Sequence, residues 1–378
     1  MTVGHGRARA ARVGRRLAWP RTMAVGLLLA SAVAACGGGG DTSDSAASTL
    51  PLASSTGDPL APQPLARQET LRIGVSSKLE SFSALLLATD ELAKENIKVE
   101  LTYAGVSETT LLVTQGKLDM VFGSYTAGFF NIVSANPDVR FIFPGASQPE
   151  DSTQGFWANK SVLNPSGGEL TAAAFKGKKI LTVSGDGSPS AFQMAAWIRT
   201  LPGGDSVKPT DLTFEQFDAT LVSQALQQGA AAAGQVNSPY DQQLSDDSCC
   251  EFMSGVIPTK ATVSGIVEGR SMKGREDVTL AFVRAMARTT LDKLQPGYKE
   301  DPDTLSALAK VLEMDTAKLR SIPELYFDPT FQSHIAPALS DGQGFWRARG
   351  LLKYDKDLTE SDLWDYRYLD AIGFAQQS

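Results

Sequence analysis

Strand-like and helix-like segments alternate along this chain, and the alternation starts twice. Residues 71–75, 99–103, 119–123 and 140–143 are short apolar or alternating runs, separated by stretches with helical spacing. The same order resumes at residues 179–183. Strands that alternate with helices of this length are typical of a mostly parallel sheet with helices on both faces. The sequence therefore predicts an α/β fold in two lobes.

The first 36 residues have the three parts of an export signal. Six arginines and no acidic residue precede an apolar run at residues 23–33, and Ala34 and Ala35 stand directly before Cys36. This order is typical of a cleavable signal peptide. A cysteine at this point resembles the lipobox of bacterial lipoproteins, in which the cysteine is lipidated and begins the mature protein. The alternatives are an ordinary signal peptide with a chance cysteine and an N-terminal membrane anchor, although about 20 apolar residues are needed to span a bilayer.

Cleavage before Cys36 would leave an acidic protein with a polar N-terminal segment. It removes the six arginines and leaves 29 Lys and Arg against 42 Asp and Glu, a formal charge of −13. Such a charge disfavours binding to nucleic acid or to an anionic membrane surface. Residues 36–68 are rich in Gly, Ser, Thr, Asp, Ala and Pro, a composition that buries too little apolar surface to fold. We predict a signal peptide over residues 1–35 and a flexible tether over residues 36–68.

Three motifs in the body of the chain resemble one known family. They are GKLDMVFG at residues 116–123, FKGKKI at residues 175–180, and ALQQG at residues 225–229 followed by SPY at residues 238–240. Their order and spacing over about residues 70–350 are similar to those of type II periplasmic substrate-binding proteins of ABC importers. The most similar group binds nitrate, sulfonates, taurine or the pyrimidine precursor of thiamine. The chain departs from that group in the small residues 230–234 and in Asn237.

The resemblance implies two α/β lobes that close on a small solute and present it to an ABC permease. It places the two crossings between lobes near residues 156–160 and 258–264. Lobe one would then comprise residues 70–157 and 262–378, and lobe two residues 158–261. The implied protein is a monomer without cofactor or catalytic activity, held outside the cytoplasm by its lipid anchor. A ligand-binding sensor subunit is the close alternative, and an enzyme like the thiamine-pyrimidine synthases is a more distant one.

Polar residues follow the predicted strands at the edge where a ligand would bind, because ligands of open α/β sheets lie at the carboxyl ends of strands. The candidate ligand-binding residues are Ser76, Ser77, Ser124, Tyr125, Thr126, Ser184, Gly185, Asp186, Gly187, Ser188, Asn237 and Ser238. The loop at residues 184–188 opens onto a helix, whose unpaired N–H groups suit an anion. Alternatively, this loop only caps the helix. Tyr125 is either a cleft wall or a core residue.

The sequence leaves two ligand classes open. A sulfonate or nitrate would be recognised by backbone amides and hydroxyl groups, because Lys78 is the one basic residue in the candidate loops. A neutral or zwitterionic heterocycle would instead stack on Tyr125, Phe156 or Trp157.

The remaining cysteines and histidine predict neither a metal site nor nucleophilic catalysis. Cys249 and Cys250 are adjacent, and neighbouring α-carbons are about 3.8 Å apart whereas ordinary disulfides span about 4.4–6.8 Å. They are therefore either a vicinal disulfide or two free thiols. After cleavage His334 would be the single histidine, too few for a histidine-based metal site.

Overall fold

A computed structural model describes residues 57–150, 152–237, 240–245, 248–332 and 337–374. The predicted signal peptide, Cys36, Ser238 and His334 lie outside the described residues. The strands of the described chain are β1 (Glu69–Val75), β2 (Ile97–Tyr103), β3 (Met120–Ser124), β4 (Arg140–Pro144), β5 (Gly155–Asn159), β6 (Lys179–Thr182), β7 (Thr213–Gln216), β8 (Ala233–Val236), β9 (Cys250–Phe252) and β10 (Ser264–Glu268).

Helices connect most of these strands and form nearly all of the C-terminal third. They are α1 (Ser83–Leu86), α2 (Thr89–Lys94), α3 (Val106–Thr114), α4 (Ala127–Ala135), α5 (Lys160–Leu163), α6 (Pro189–Thr200), α7 (Val222–Gln227), α8 (Gln242–Ser245), α9 (Glu276–Lys293), α10 (Pro302–Leu312), α11 (Thr316–Ser321), α12 (Pro337–Ala348), α13 (Glu360–Leu363) and α14 (Arg367–Ala371). None of the described helices combines the length and the apolar character needed to cross a bilayer.

The strands form two separate five-stranded sheets. The order in lobe one is β2-β1-β3-β10-β4, and the order in lobe two is β7-β6-β8-β5-β9. Strand β1 pairs in parallel with β2 and β3, and β6 pairs in parallel with β7 and β8. Strands β10 and β5 are antiparallel to both of their neighbours. The predicted two-lobe α/β fold is confirmed, and each sheet has one reversed strand at the point where the chain enters it from the other lobe.

The first crossing between the lobes comes earlier than predicted. Strand β5 belongs to the second sheet, where Gly155 is paired with Val236 and Trp157 with both Gly234 and Phe252. The crossing therefore lies within residues 145–154, and the predicted boundary between residues 157 and 158 falls inside a strand. The second crossing lies between β9 and β10.

Helix α12 packs on lobe two, although the sequence assigned the whole C-terminal part to lobe one. Its Trp346 ring lies 5.3 Å from the Phe192 ring of α6 and 5.2 Å from the Phe130 ring of α4, measured between centroids. Phe345 meets Phe214 of β7 at 5.8 Å. Helices α13 and α14 then return to lobe one, where they contact α4, β4 and α9. The C-terminal segment therefore holds the two lobes together, because its aromatic side chains are buried against both.

The segment just before β1 is bound to lobe one through Glu95. The Glu95 carboxylate accepts a hydrogen bond from the Gln63 backbone N–H at 3.1 Å, and the Glu95 carbonyl accepts one from the Leu65 N–H at 3.1 Å. Leu60 and Leu65 pack against the lobe-one core. These contacts give the end of the supposed tether a fixed position.

Two arginines of α9 hold the same segment by its carbonyl groups. Arg284 Nη2 donates to the Gln63 oxygen at 3.3 Å, and Arg288 Nη1 donates to the Leu60 oxygen at 2.9 Å. The prediction of a flexible tether is therefore wrong for residues 57–68, and the rest of that tether lies outside the described residues. The segment is rich in proline, which favours extended backbone and has no N–H to donate.

The small residues of β8 follow from close helix packing. A Cβ atom on Gly234 would lie 2.6 Å from Val222 Cγ1 of α7 and 3.3 Å from Leu181 Cβ of β6. Larger side chains do not fit there because α7 lies directly on the strand. This contact accounts for the departure from the family pattern at Gly234.

Cys249 and Cys250 are joined by a disulfide. Cys250 is buried at the start of β9, next to a small apolar cluster that includes Trp157 and Leu181. Of the two alternatives from the sequence, the structure has the vicinal disulfide.

Candidate ligand-binding cleft

A cleft of about 330 Å³ lies between the two lobes. Its walls are formed by the residues at the carboxyl ends of β1 and β3 from lobe one and of β6 and β8 from lobe two, together with parts of both crossings. Ligands of open α/β sheets bind at such strand ends. The fold therefore brings the binding edges of both sheets to one place.

Six of the predicted site residues line this cleft, and five do not. The lining residues are Ser76, Ser124, Thr126, Ser184, Ser188 and Asn237. The five that are not part of the lining are Ser77, Tyr125, Gly185, Asp186 and Gly187, and Ser238 lies outside the described residues. Ser77 is exposed on the surface beside the cleft.

Tyr125 is a core residue of lobe one. Its side chain is 2% exposed, and its hydroxyl accepts a hydrogen bond from Trp364 Nε1 at 2.6 Å. Its ring centroid lies 5.3 Å from that of Phe141. Burial raises the pKa of Tyr125 well above its ordinary value. The expectation that Tyr125 lines the cleft is wrong. Its hydroxyl is hydrogen-bonded to Trp364 of the C-terminal segment, and its ring is buried in the lobe-one core.

Phe156 and Trp157 are also buried in their sheet and do not line the cleft. The Trp157 indole N–H donates to the Thr153 carbonyl at 3.1 Å, so its polar edge is already satisfied. These two rings therefore do not offer the stacking surface that the sequence suggested.

The loop at residues 184–188 caps helix α6. Ser188 Oγ accepts a hydrogen bond from the Ala191 N–H at 3.1 Å and donates to the Gly185 carbonyl at 2.7 Å. Gly185 has a φ of +65°, which glycine adopts without strain. The first helical residue, Pro189, has no N–H to offer a ligand. The capping alternative therefore describes the local structure, and the helix terminus has fewer free donors than expected.

Asp186 is paired with the C-terminal segment and is not part of the cleft lining. Its Oδ2 atom lies 2.7 Å from Nη2 of Arg349, which follows α12. Arg349 also donates to the carbonyls of Pro209 and Leu212. The aspartate therefore serves the packing of the C-terminal segment rather than the cleft.

Two further charges near the cleft are also paired elsewhere. Lys78 forms an ion pair with Glu313 at the end of α10. Glu80 lies 2.8 Å from Lys299 Nζ and accepts a hydrogen bond from the Tyr298 hydroxyl. Among the described residues that line the cleft, none carries a charge. The polar part of the lining consists of hydroxyl and amide groups.

Gln193 and Gln235 of lobe two are site residues that the sequence reading missed. The Gln193 side chain lines the cleft and is 7% exposed, with no hydrogen-bond partner within the described part of the chain. Gln235 Oε1 accepts a hydrogen bond from Ser190 Oγ at 2.6 Å. Ser190 and Gln193 are three apart on α6 and share a face. This polar spacing is the pattern in the sequence that could have identified Gln193 as a site residue. Gln235 stands out as a polar residue within a short buried strand.

The apolar part of the cleft comes mainly from lobe one. Phe82 and Phe122 both line it, and their ring centroids are 4.2 Å apart with an interplanar angle of 44°. The exposed Leu79 extends this surface toward solvent. The cleft thus has an aromatic wall on one lobe and an amide-bearing wall on the other.

The two lobes approach each other closely beside the cleft. A Cβ atom on Gly187 of lobe two would lie 3.7 Å from Ala127 Cβ at the start of α4 in lobe one.

Within the described ranges, no group of three or more His, Cys, Asp or Glu side chains is arranged to hold a metal ion.

Comparison with known proteins supports the fold. No family model matches the sequence, and no curated protein matches it either. Among solved structures, the alkanesulfonate-binding protein SsuA from Xanthomonas axonopodis pv. citri bound to MOPS is 16% identical, covering 79% of this chain and 99% of its own, with a TM-score of 0.53. A putative periplasmic sulfonate-binding protein of an ABC transporter from Methylobacillus flagellatus KT is 15% identical, covering 82% and 94%, with a TM-score of 0.57.

The periplasmic nitrate-binding protein NrtA from Synechocystis PCC 6803 is similar as well. It is 12% identical, covering 80% of this chain and 88% of its own, with a TM-score of 0.52. At these identities the likeness concerns the fold. The chain therefore has the two-lobe fold of the periplasmic binding proteins that the sequence motifs resemble.

Proposed function

We propose that this protein is an extracytoplasmic solute-binding lipoprotein, which captures a small molecule between its lobes and delivers it to an ABC import permease. The observation that carries the proposal is the cleft of about 330 Å³ at the strand ends of both sheets. A space of this size suits a small ligand.

The connections between the lobes favour a closing motion. Two crossings join the sheets, at residues 145–154 and between β9 and β10, and Trp346 of the C-terminal segment bridges the lobes as a third connection. Domain closure around a ligand needs only a few loop residues that absorb the change in backbone angles. A ligand that contacts both walls would stabilise the closed arrangement because it binds that arrangement better.

The proposed ligand is either a sulfonate-, nitrate- or taurine-like anion or a pyrimidine-like heterocycle. Two of the similar structures are named as an alkanesulfonate-binding protein and a nitrate-binding protein. Their ligand classes support the proposal for this chain, whose identity to them is 16% and 12%.

A thermal-shift screen tests the binding function. The purified protein is heated with sulfonates, taurine, nitrate, bicarbonate and aminopyrimidines in turn. A ligand at 100 times its dissociation constant stabilises the folded state by about 2.7 kcal/mol, so at least one compound should raise Tm. Solution scattering with that compound should show a smaller radius of gyration. No change in either quantity with any small solute would contradict the proposal.

The proposed lipid anchor has its own test. Cys36→Ala should release the protein from the membrane or leave it unprocessed at its full length, and Ser43→Ala serves as a control in the same segment. Fractionation and mass spectrometry of the N-terminus measure both. A Cys36→Ala protein that stays membrane-bound at the normal processed size would show that Cys36 is not the anchor.

A further inference from the structure

We propose that the cleft recognises an uncharged solute with an amide-like hydrogen-bonding edge, read by Gln193 and Gln235, and a flat apolar face, held by Phe82 and Phe122. This inference rests on the proposed solute-binding function and selects between its two ligand classes. The four residues line one cleft, with the amides on lobe two and the rings on lobe one.

The charge distribution around the cleft disfavours an anion. Lys78, Glu80 and Asp186 have partners in Glu313, Lys299 and Arg349, respectively, that do not line the cleft. An ionised ligand loses its hydration when the lobes close and needs a counter-charge or several strong donors in return. The described lining has no counter-charge to give.

The helix termini at the cleft provide little compensation. Thr126 caps α4 by accepting from the Phe129 N–H at 3.1 Å, and Ser188 caps α6 in the same way. Proline stands at the first position of α6, so one donor is missing there. The N–H groups that would bind an oxyanion are therefore partly occupied by the protein itself.

The amide of Gln193 requires a particular kind of partner. It carries one acceptor oxygen and two N–H donors, has no partner in the described chain, and is open to the cleft although most of the side chain is buried. A ligand that displaces water from the cleft would leave this amide buried and unpaired unless it offers matching groups, and that is costly. A ligand edge that both donates and accepts satisfies it, as an amide, a lactam or a pyrimidine-like ring edge does.

Gln235 supplies a second amide with a fixed orientation. Its oxygen accepts the hydrogen bond from Ser190 Oγ at 2.6 Å, which leaves the Nε2 hydrogens for another acceptor. Because its oxygen is held by Ser190, Gln235 presents its N–H donors to the cleft. The aromatic wall of Phe82 and Phe122 would pack against the flat part of the same ligand.

Separation of solutes by charge tests the ligand class. A deproteinised bacterial cell extract is passed through mixed strong anion and cation exchangers, which leave uncharged solutes in the flow-through and release charged ones in the salt eluate. After desalting, each fraction is titrated against the full mature protein while Tm is recorded. The flow-through should raise Tm. A rise caused by the eluate alone would overturn this inference and still support solute binding, whereas no rise with either fraction would contradict the proposed function.

Substitution of Gln193 tests the role of the amide. Gln193→Met keeps the length of the side chain and removes its hydrogen bonds, so the flow-through dose that gives a half-maximal Tm shift should rise roughly tenfold or more. Gln224→Met is the matched control, because Gln224 is exposed on α7 of the same lobe, and its dose should stay unchanged.

Gln193→Glu keeps the shape of the side chain, places a charge in the cleft and should lose at least as much affinity. It also serves as the second variant if Gln193→Met has a lowered Tm without solute. An unchanged dose response in a Gln193 variant of normal Tm would overturn the assignment of Gln193.

Discussion

The two lobes have similar sheets but stabilise them by different means. Lobe one buries charged groups in pairs, such as Glu95 with Arg284 and Arg288. Lobe two brings a helix directly onto β8, where Gly234 leaves no space for a side chain. Close packing at strand glycines also occurs in lobe one, where a Cβ on Gly74 or Gly265 would clash. The difference therefore teaches that lobe one adds buried long-range charge partners to such packing, whereas lobe two depends on the packing itself.

The largest expected effect is in the buried ion network of lobe one. Glu95 is fully buried and lies 2.7 Å from both Arg284 Nη2 and Arg288 Nη1. Glu95→Gln leaves the buried Arg284 guanidinium without its counter-charge, while Arg288 keeps its ion pair with Glu91, and should lower the free energy of unfolding by about 3 kcal/mol. Urea denaturation measures this change.

The control for that substitution is Glu313→Gln, which removes an ion pair from a side chain that is 71% exposed. It should change stability by less than about 1 kcal/mol. Equal effects of the two substitutions would contradict the contrast between buried and exposed pairs. Proteolysis within residues 57–68 should also become faster in Glu95→Gln, because the carboxylate binds that segment.

The next effect is a pH dependence that belongs to lobe one. Burial, together with the nearby Asp365 carboxylate, raises the pKa of Glu268 from 4.5 to about 8, although Thr279, Arg367 and Tyr368 oppose the shift. Between these values the folded protein keeps a proton that the unfolded chain has lost. The contribution of Glu268 to the free energy of unfolding is therefore fully present below pH 4.5 and falls until pH passes 8. The loss between pH 6 and pH 8 is about 2 kcal/mol.

Glu268→Gln should remove most of that loss, because the amide resembles the protonated carboxyl group and does not titrate. Urea denaturation of both proteins at pH 6, 7 and 8 provides the comparison. A wild-type protein that becomes more stable over this range relative to Glu268→Gln would show that the carboxylate is stabilised by its surroundings, contrary to this account.

The smallest expected effect tests close packing in lobe two. Gly234→Ala places a methyl group against Val222 and should cost about 1–2 kcal/mol. Gly344→Ala is the matched control, since a Cβ there meets nothing within 4 Å and the residue lies inside α12. The control should be neutral or stabilising by up to about 1 kcal/mol. A Tm for Gly344→Ala that is lower than the Tm for Gly234→Ala would contradict the close packing of α7 on β8.

The fold class could be predicted from the sequence because it depends on local periodicity. The strands expected at residues 71–75 and 99–103 are present as parts of β1 and β2. The docking of residues 57–68 could not be predicted, because the groups that hold Leu60 and Gln63 come from α9, more than 200 positions later.

The candidate site was only partly predictable for the same reason. Serines after strand ends line the cleft because the sheet edge places them there. The direction of Tyr125 was decided by Trp364, which lies 239 positions away. The exposure of Gln193 to the cleft depends on how α6 is rotated against α12, and helical spacing alone does not give that rotation.

The central claim is that an uncharged solute binds between the lobes. Its most direct test is a crystal structure of the protein crystallised with the solute fraction that raises Tm. The account predicts a small molecule in the cleft, hydrogen-bonded to Gln193 and packed against Phe82 and Phe122. A charged ligand there, or a ligand bound elsewhere while the cleft stays unchanged, would contradict it.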